Sequence, residues 1–142
     1  MKTYIPSEKD FDRKTFLINA KGKTLGRLAT RVASILIGKG KAVISPDKLC
    51  GDQVIIINAK EIQVTGRKRE QKVYTRFSGY ADGLKTIRFD KLMALKPEAI
   101  VEKAIARMLP NTRLGREMLR RLRVYAGSEH RQQAQKPVPL EV

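Results

Sequence analysis

Two runs of cations have the residue types and spacing to act on a polyanion. Residues 112–123 hold five arginines and one glutamate: Arg113, Arg116, Arg120, Arg121 and Arg123 against Glu117. An ordinary exposed helix mixes Glu with Arg to gain i,i+4 pairs. This segment forgoes most of that gain, and a polyanion would remove its self-repulsion. Arginine also offers phosphate a bidentate fork. An acidic protein surface is the alternative partner. The second run is Arg67, Lys68, Arg69, Lys72 and Arg76, interleaved with Tyr74, Phe77 and Tyr80 and followed by Lys85. Cations of this kind meet phosphates while aromatics stack on unpaired bases. The plain alternative is a solvated hairpin with ordinary surface charge. Arg27, Arg31, Lys39 and Lys41 offer a third group of cations.

Signals for catalysis are weaker. Gly22-Lys23-Thr24 lies between an apolar run and a helical pattern. A phosphate-binding loop of the Gly-x-x-x-x-Gly-Lys-Ser/Thr type would need its first glycine at position 17. Leu17 stands there, so the turn is too short to wrap a nucleotide's phosphates. It reads as a strand-to-helix turn, with Thr24 as a cap and the helix N-terminus able to meet an RNA phosphate. Cys50 and His130 are each the single residue of their type. Zinc needs four ligands, normally His or Cys, and a Cys–His nucleophile pair needs a third orienting group. Cys50 reads as a small buried or loop thiol. His130 reads as a hydrogen-bonding residue or an aromatic plane against a base. The acids are scattered among bases, so no carboxylate pair can be argued.

Composition agrees with a polyanion partner. The chain has 142 residues, with 30 Lys plus Arg against 14 Asp plus Glu, a net charge of +16. Such a surface repels itself unless something anionic neutralises it. Nucleic acid is the usual answer and anionic membrane the second. Hydrophobic residues make up 42%, enough for a packed core. A single cysteine excludes an intramolecular disulfide framework and points to a reducing compartment. No apolar run approaches the ~20 residues of a membrane span. Residues 1–14 mix Glu8, Asp10 and Asp12 with lysines, unlike a signal or transit peptide, so the expected location is the cytosol.

The elements that must position these residues follow from periodicity. One domain is the default at this length. Residues 1–14 read as an N-terminal arm, 15–127 as an α/β domain and 128–142 as an extended tail. Phe16-Leu17-Ile18-Asn19-Ala20 reads as a buried strand. Leu25, Leu28, Ala29, Val32, Ile35 and Leu36 share one face of a helix over 25–37, with Arg27 and Arg31 opposite. Val54-Ile55-Ile56-Ile57 is apolar without alternation, as a central parallel strand reads. Residues 61–65 and 72–76 read as two more strands around the turn Gly66-Arg67-Lys68-Arg69. Pro97 opens a helix that Pro110 ends. Thr112 caps another running to about Arg123, whose arginines lie opposite Leu114, Met118, Leu119 and Leu122. The fold class is α/β: one compact three-layer domain, a short parallel or mixed sheet flanked by helices.

Several segments then resemble one family. They are Gly22-Lys23-Thr24-Leu25-Gly26-Arg27-Leu28-Ala29-Thr30, Gly51-Asp52 with Asn58-Ala59, Val64-Thr65-Gly66 and Lys72-Val73-Tyr74. Met108-Leu109-Pro110 with Leu114-Gly115-Arg116 follow, then Val124-Tyr125-Ala126-Gly127 with Glu129-His130. Over essentially its whole length the chain resembles the bacterial large-subunit ribosomal protein L-thirteen family. The resemblance implies an α/β domain bound to large-subunit (23S-type) ribosomal RNA beside neighbouring ribosomal proteins, in the cytoplasmic ribosome. It implies a structural and assembly role, with no catalysis, cofactor, small-molecule substrate or membrane. It favours RNA over DNA, which composition alone does not. Thr75, Arg76, Phe77, Ser78 and Gly79 depart from the family pattern, where an aromatic and histidines are common; Arg76 and Phe77 retain the capacity for charge and stacking. Two rivals remain, an RNA-modifying enzyme and a DNA-packaging protein. The expected RNA contacts are Arg67, Lys68, Arg69, Lys72 and Arg76 on one surface, with Lys85 beside them, and the five arginines of 113–123 on a second. Arg27, Arg31, Lys39 and Lys41 make a third, and Tyr74, Tyr80, Tyr125 and His130 are the candidates to pack on bases or riboses.

Overall fold

The computed structural model describes residues 6–142, so the first five residues of the expected arm lie outside the described part. Strand β1 (Thr15–Asn19), helix α1 (Leu25–Ile37) and strand β2 (Gln53–Ile57) form a parallel β-α-β unit, in register from Thr15 opposite Gln53 to Asn19 opposite Ile57. The α1 stripe follows its period at Leu25, Leu28, Ala29, Val32 and Leu36, all buried; Ala33 joins them, while Ile35 is only half-buried. Thr24 holds the cap position, but its side chain makes no capping bond. The Leu25 N–H instead donates to the Gln63 carbonyl at 2.9 Å. The helix ends at Gly38, whose φ of +88° is left-handed and whose N–H caps Ser34 and Ile35.

Downstream the chain adds α2 (Lys68–Gln71), β3 (Val73–Phe77), β4 (Leu84–Arg88), α3 (Phe89–Leu95), α4 (Pro97–Ala106), α5 (Arg113–Arg120), β5 (Leu122–Val124) and β6 (Val138–Pro139). The main sheet has the order β5-β2-β1-β6, parallel throughout. β2 is interior, and Val54, Ile55 and Ile56 are buried in succession, as the unbroken apolar run predicts. Ile18, Val54, Ile56 and Leu122 face one side and pack with the apolar stripes of α1 and α4 and with Met118 of α5. Ile55 faces the other side, beside Gln132 and Gln135. The fold class is therefore α/β, a parallel sheet flanked by helices, with the C-terminal segment on the far face.

Four expectations are corrected. Residues 61–65 form no strand; a 3₁₀ turn at Ala59–Glu61 and one bridge from Gln63 to Thr24 replace it. The basic segment after Gly66 is the short helix α2 rather than a turn between strands. β3 pairs instead with β4, antiparallel, through the Ser78–Gly83 connection, where Gly79 and Asp82 take positive φ. The helix after Thr112 ends at Arg120, because Leu122 and Val124 are claimed by β2 as pairs of Val54 and Ile56; Arg123 thus lies on a strand. The tail is only partly extended, since a 3₁₀ turn at Gln133–Gln135 interrupts it, and it is tied down: Val138 and Pro139 pair with β1, and the Leu140 N–H donates to the Leu17 carbonyl at 2.8 Å.

Candidate nucleic-acid interface

Helix α5 is built to present arginine. Thr112 Oγ1 accepts the Gly115 N–H at 3.2 Å, a side-chain cap that starts the helix. Gly115 and Met118 are buried, and Arg113, Arg116 and Arg120, spaced i, i+3 and i+7, are exposed on the opposite side. A Cβ on Gly115 would lie 1.9 Å from the Pro110 carbonyl oxygen, so this glycine lets the helix start close against its own preceding loop. Among the described residues none of the three arginines has an ion pair. The apolar stripe thus fixes a face of unpaired guanidinium groups.

Two sequence candidates serve the fold. Arg121 is half-buried, and its Nη1 donates to the Gly51 carbonyl at 2.7 Å. Lys41 Nζ sits 2.6 Å from Oδ1 of the buried Asp52, which also accepts the Lys14 N–H at 2.9 Å. These groups tie the α1 end, the 50–52 loop and the end of α5 together. Gly51 seats that junction: a Cβ there would come within 1.7 Å of the Leu36 carbonyl oxygen. Cys50 is buried beside it, its thiol against the Ser45 N–H and carbonyl. Arg31 and Lys39 are exposed on and after α1. Arg123, exposed on β5, shares the rim of the far-face hollow with Arg120 and Arg121.

The β3–β4 hairpin carries a second basic surface. Arg76 and Lys85 are cross-strand partners, and so are Phe77 and Leu84. Like charges directly opposite each other destabilise a hairpin in isolation. Alternation puts the cation pair on one face and the apolar pair on the other. Tyr80, 79% exposed, stands at the tip, and Phe77 is 65% exposed. At the hairpin base Arg69 Nε lies 3.6 Å from Asp90, and Arg67 and Lys68 are exposed.

Tyr74 is corrected as a base-stacking candidate. It is only 4% exposed, and its ring lies beneath Lys72 Nζ at 5.5 Å and Lys103 Nζ at 5.2 Å from the centroid. Burial raises its hydroxyl pKa above the usual phenol value. Tyr125 is half-buried, its hydroxyl bonded to Gln132. His130 is half-buried too, its ring tilted 52° against Tyr125 with centroids 6.5 Å apart, and its Nδ1 is buried without a hydrogen-bond partner.

The sequence reading missed one grouping. A groove of about 520 Å³ opens between the α1 start, residues 64–72 and the α4 end. Thr24, Leu25, Gly26, Val64, Thr65, Ala104 and Met108 line it together with Arg27, Lys68, Lys72 and Arg107. Arg107 belongs to none of the local cation runs, and its neighbours here are distant in sequence. Among the described residues no group of three or more His, Cys, Asp or Glu is placed to hold a metal. No described helix is long and apolar enough to cross a membrane.

Comparison with known proteins gives the family of the chain. A family described as Ribosomal protein L13 matches residues 13–131. The chain is 54% identical over 141 residues to the large ribosomal subunit protein uL13 of Symbiobacterium thermophilum, covering 99% of each. It is 51% identical over 142 residues to the protein of that name from Thermus thermophilus, covering 100% of both. The counterpart from Aquifex aeolicus is also 51% identical over 142 residues, covering 100% of this chain and 99% of its own. With the family match spanning most of the domain and these relatives aligned end to end, the chain belongs to the ribosomal protein L13 family.

Proposed function

We propose that this chain is a structural constituent of the large ribosomal subunit that binds its 23S-type ribosomal RNA and supports subunit assembly, beside neighbouring large-subunit proteins in the cytoplasmic ribosome. The observation that carries the reading is the α5 face, where Arg113, Arg116 and Arg120 stand exposed and without an ion pair among the described residues. A second surface, Arg76 and Lys85 with Tyr80 and Phe77 on the hairpin, supports it. Arg31, Lys39, Arg67, Arg69 and Arg123 extend the charged surface. Phosphate contacts supply affinity, and the shape of the folded surface sets the register on RNA helices. Lys41, Arg121 and Tyr74 are not part of this surface.

Sedimentation of a cell lysate at low and moderate salt tests the reading. The chain is expected to co-migrate with the large subunit and to stay there in moderate salt. Migration as a free or DNA-linked species would remove the functional reading and leave the fold. Competition between duplex DNA and large-subunit RNA at matched salt separates RNA from DNA binding; equal retention on both would count against it.

A further inference from the structure

Without its last strand the main sheet would have two unequal edges. At one end β5 is three residues long and carries the exposed Arg123, which blunts it. At the other end β1 runs for five residues and contains the apolar run Phe16-Leu17-Ile18. A longer apolar strand with a free row of N–H and C=O groups is a template for pairing with another chain. Here that row is covered. β6 lies parallel to β1, with Val138 opposite Phe16 and Pro139 opposite Leu17, and the Leu140 N–H donates to the Leu17 carbonyl at 2.8 Å.

Covering one edge makes another, unless the covering strand cannot pair on its far side. Prolines give β6 that property. Backbone groups of successive strand residues point to opposite sides. The Leu140 N–H points at β1, so the backbone of Pro139 faces away from the sheet. The same alternation, carried back two residues, puts Pro137 on that outer side. Proline has no N–H and is tolerated in a sheet where its missing donor faces outward. The outer edge therefore lacks donors at both positions where a further strand would seek them. Lys136, exposed beside them, adds a charge to that edge.

The tail is held by more than this short ladder. Lys23 Nζ donates to the Val142 carbonyl, and Leu140 and Val142 pack half-buried on the core. Upstream, the Tyr125 hydroxyl bonds Gln132, and a left-handed Lys136, with φ of +45°, separates the 3₁₀ turn from the strand. A chain terminus stays ordered only when it is tied down, and this one is anchored on both sides of its pairing.

We propose that residues 136–142 are an edge latch: they mask the pairing edge of β1 and, through Pro137 and Pro139, end the sheet, so that the free chain stays monomeric. What the latch excludes is a second copy of this chain, which presents the same apolar strand. The inference does not depend on RNA binding.

Two full-length variants, purified free of nucleic acid, are compared with wild type by sedimentation equilibrium at about 0.1 M and about 1 M salt. The net charge of +16 opposes self-association, and at the higher salt that repulsion is screened beyond roughly 3 Å. Pairing through strand edges should grow with salt, whereas bridging by traces of RNA would fade. Pro137→Val with Pro139→Val restores the outward donors and leaves the Leu140 bond in place. This double variant should melt as wild type does and dimerise at least about tenfold more tightly. Leu140→Pro removes the donor to Leu17 and should release the tail, with the same result. In the dimer of the double variant the new amide at position 139 should be protected from hydrogen exchange. A monomeric wild type, with both variants dimeric and position 139 protected, supports the proposal. A double variant that is folded and monomeric at both salts, or a dimer with position 139 unprotected, would overturn it. A folded Leu140→Pro chain that stays monomeric would overturn the masking of β1. If circular dichroism shows that Leu140→Pro has lost its fold, the double variant decides alone.

Discussion

Replacing Arg113, Arg116 and Arg120 together by glutamine separates charge from shape on α5. All three side chains point away from Gly115 and Met118, so the core contacts are untouched. Glutamine has nearly arginine's helix propensity. The arginines form like-charge neighbours at i,i+3 and i,i+4, each opposing the helix by about 0.2–0.5 kcal/mol. Removing both repulsions should stabilise the protein by up to about 1 kcal/mol, or roughly 4 °C in Tm for a chain of this size. RNA binding should move the other way. Three single-strand phosphate contacts carry a slope of about 2 in log K against log salt. Their loss should weaken binding about 50-fold at about 150 mM salt and several hundred-fold at about 50 mM. Thermal melts followed by circular dichroism and filter binding to large-subunit RNA give the two readings. A variant as stable as wild type with an unchanged salt slope would refute the assignment of this face. A fall in Tm of several degrees would refute the placement of the arginines opposite the core.

Three other perturbations test the framework behind that surface. Gly51→Ala would drive a methyl against the backbone of Leu36 and should cost about 3 kcal/mol or more, whereas Gly26→Ala, with open space around its Cβ, should stabilise by about 0.5–1 kcal/mol; equal melts for the two would contradict the packing at the α1 end. Lys41→Gln leaves the buried Asp52 carboxylate with less compensation and should lower stability by about 1–3 kcal/mol while the RNA salt slope stays put. Burial, and then the Glu98 charge, raise the Glu102 pKa above its ordinary 4.5. The folded state therefore holds this proton more tightly than the unfolded chain, and stability from this group grows as pH falls through the raised pKa and is lost as pH climbs towards neutrality. Glu102→Gln should raise Tm at neutral pH and flatten that part of the pH profile; an unchanged profile would contradict the shift.

What the sequence made legible depended on how local the cause was. The stripe from Leu25 to Leu36 and the run Val54–Ile57 carry pure periods, and each needs only its own residues to define a buried face. The same logic located Arg113, Arg116 and Arg120, because a helix's exposed side follows from its apolar side. Arg123 defeated that logic. Leu119 and Leu122 suit a helical stripe, while Leu122 and Val124 also suit a strand, and pairing with β2 decides between them. The partner of β3 was hidden for a related reason. The Ser78–Gly83 connection lacks the two-residue turn that marks a hairpin, so Leu84–Arg88 gave no local signal. Tyr74 looked like a stacking aromatic because its burial beneath Lys103 depends on α4, some thirty residues away. The groove that joins Arg27 to Arg107 is invisible for the same physical reason.

The cations of this chain fall into two groups, and the structure shows what separates them. Lys41 and Arg121 sit where the end of α1, the 50–52 loop and the end of α5 meet, and each has a fixed oxygen acceptor, a carboxylate for one and a carbonyl for the other. A charge half-withdrawn from water needs such a partner, and removing it would leave an exposed cost. Arg113, Arg116, Arg120, Arg76, Lys85 and the groove set have no ion pair among the described residues, although the chain carries 14 acids that could have supplied some. The acid at Asp52 lies at the structural junction, while Glu117 alone accompanies the arginines of α5. Selection for stability alone would spread acids among these arginines, since i,i+4 pairs are locally favourable. Their concentration away from carboxylates makes the folded state electrostatically incomplete by itself. The RNA of the proposed function would complete it, and that reading places its backbone along the positions left unpaired.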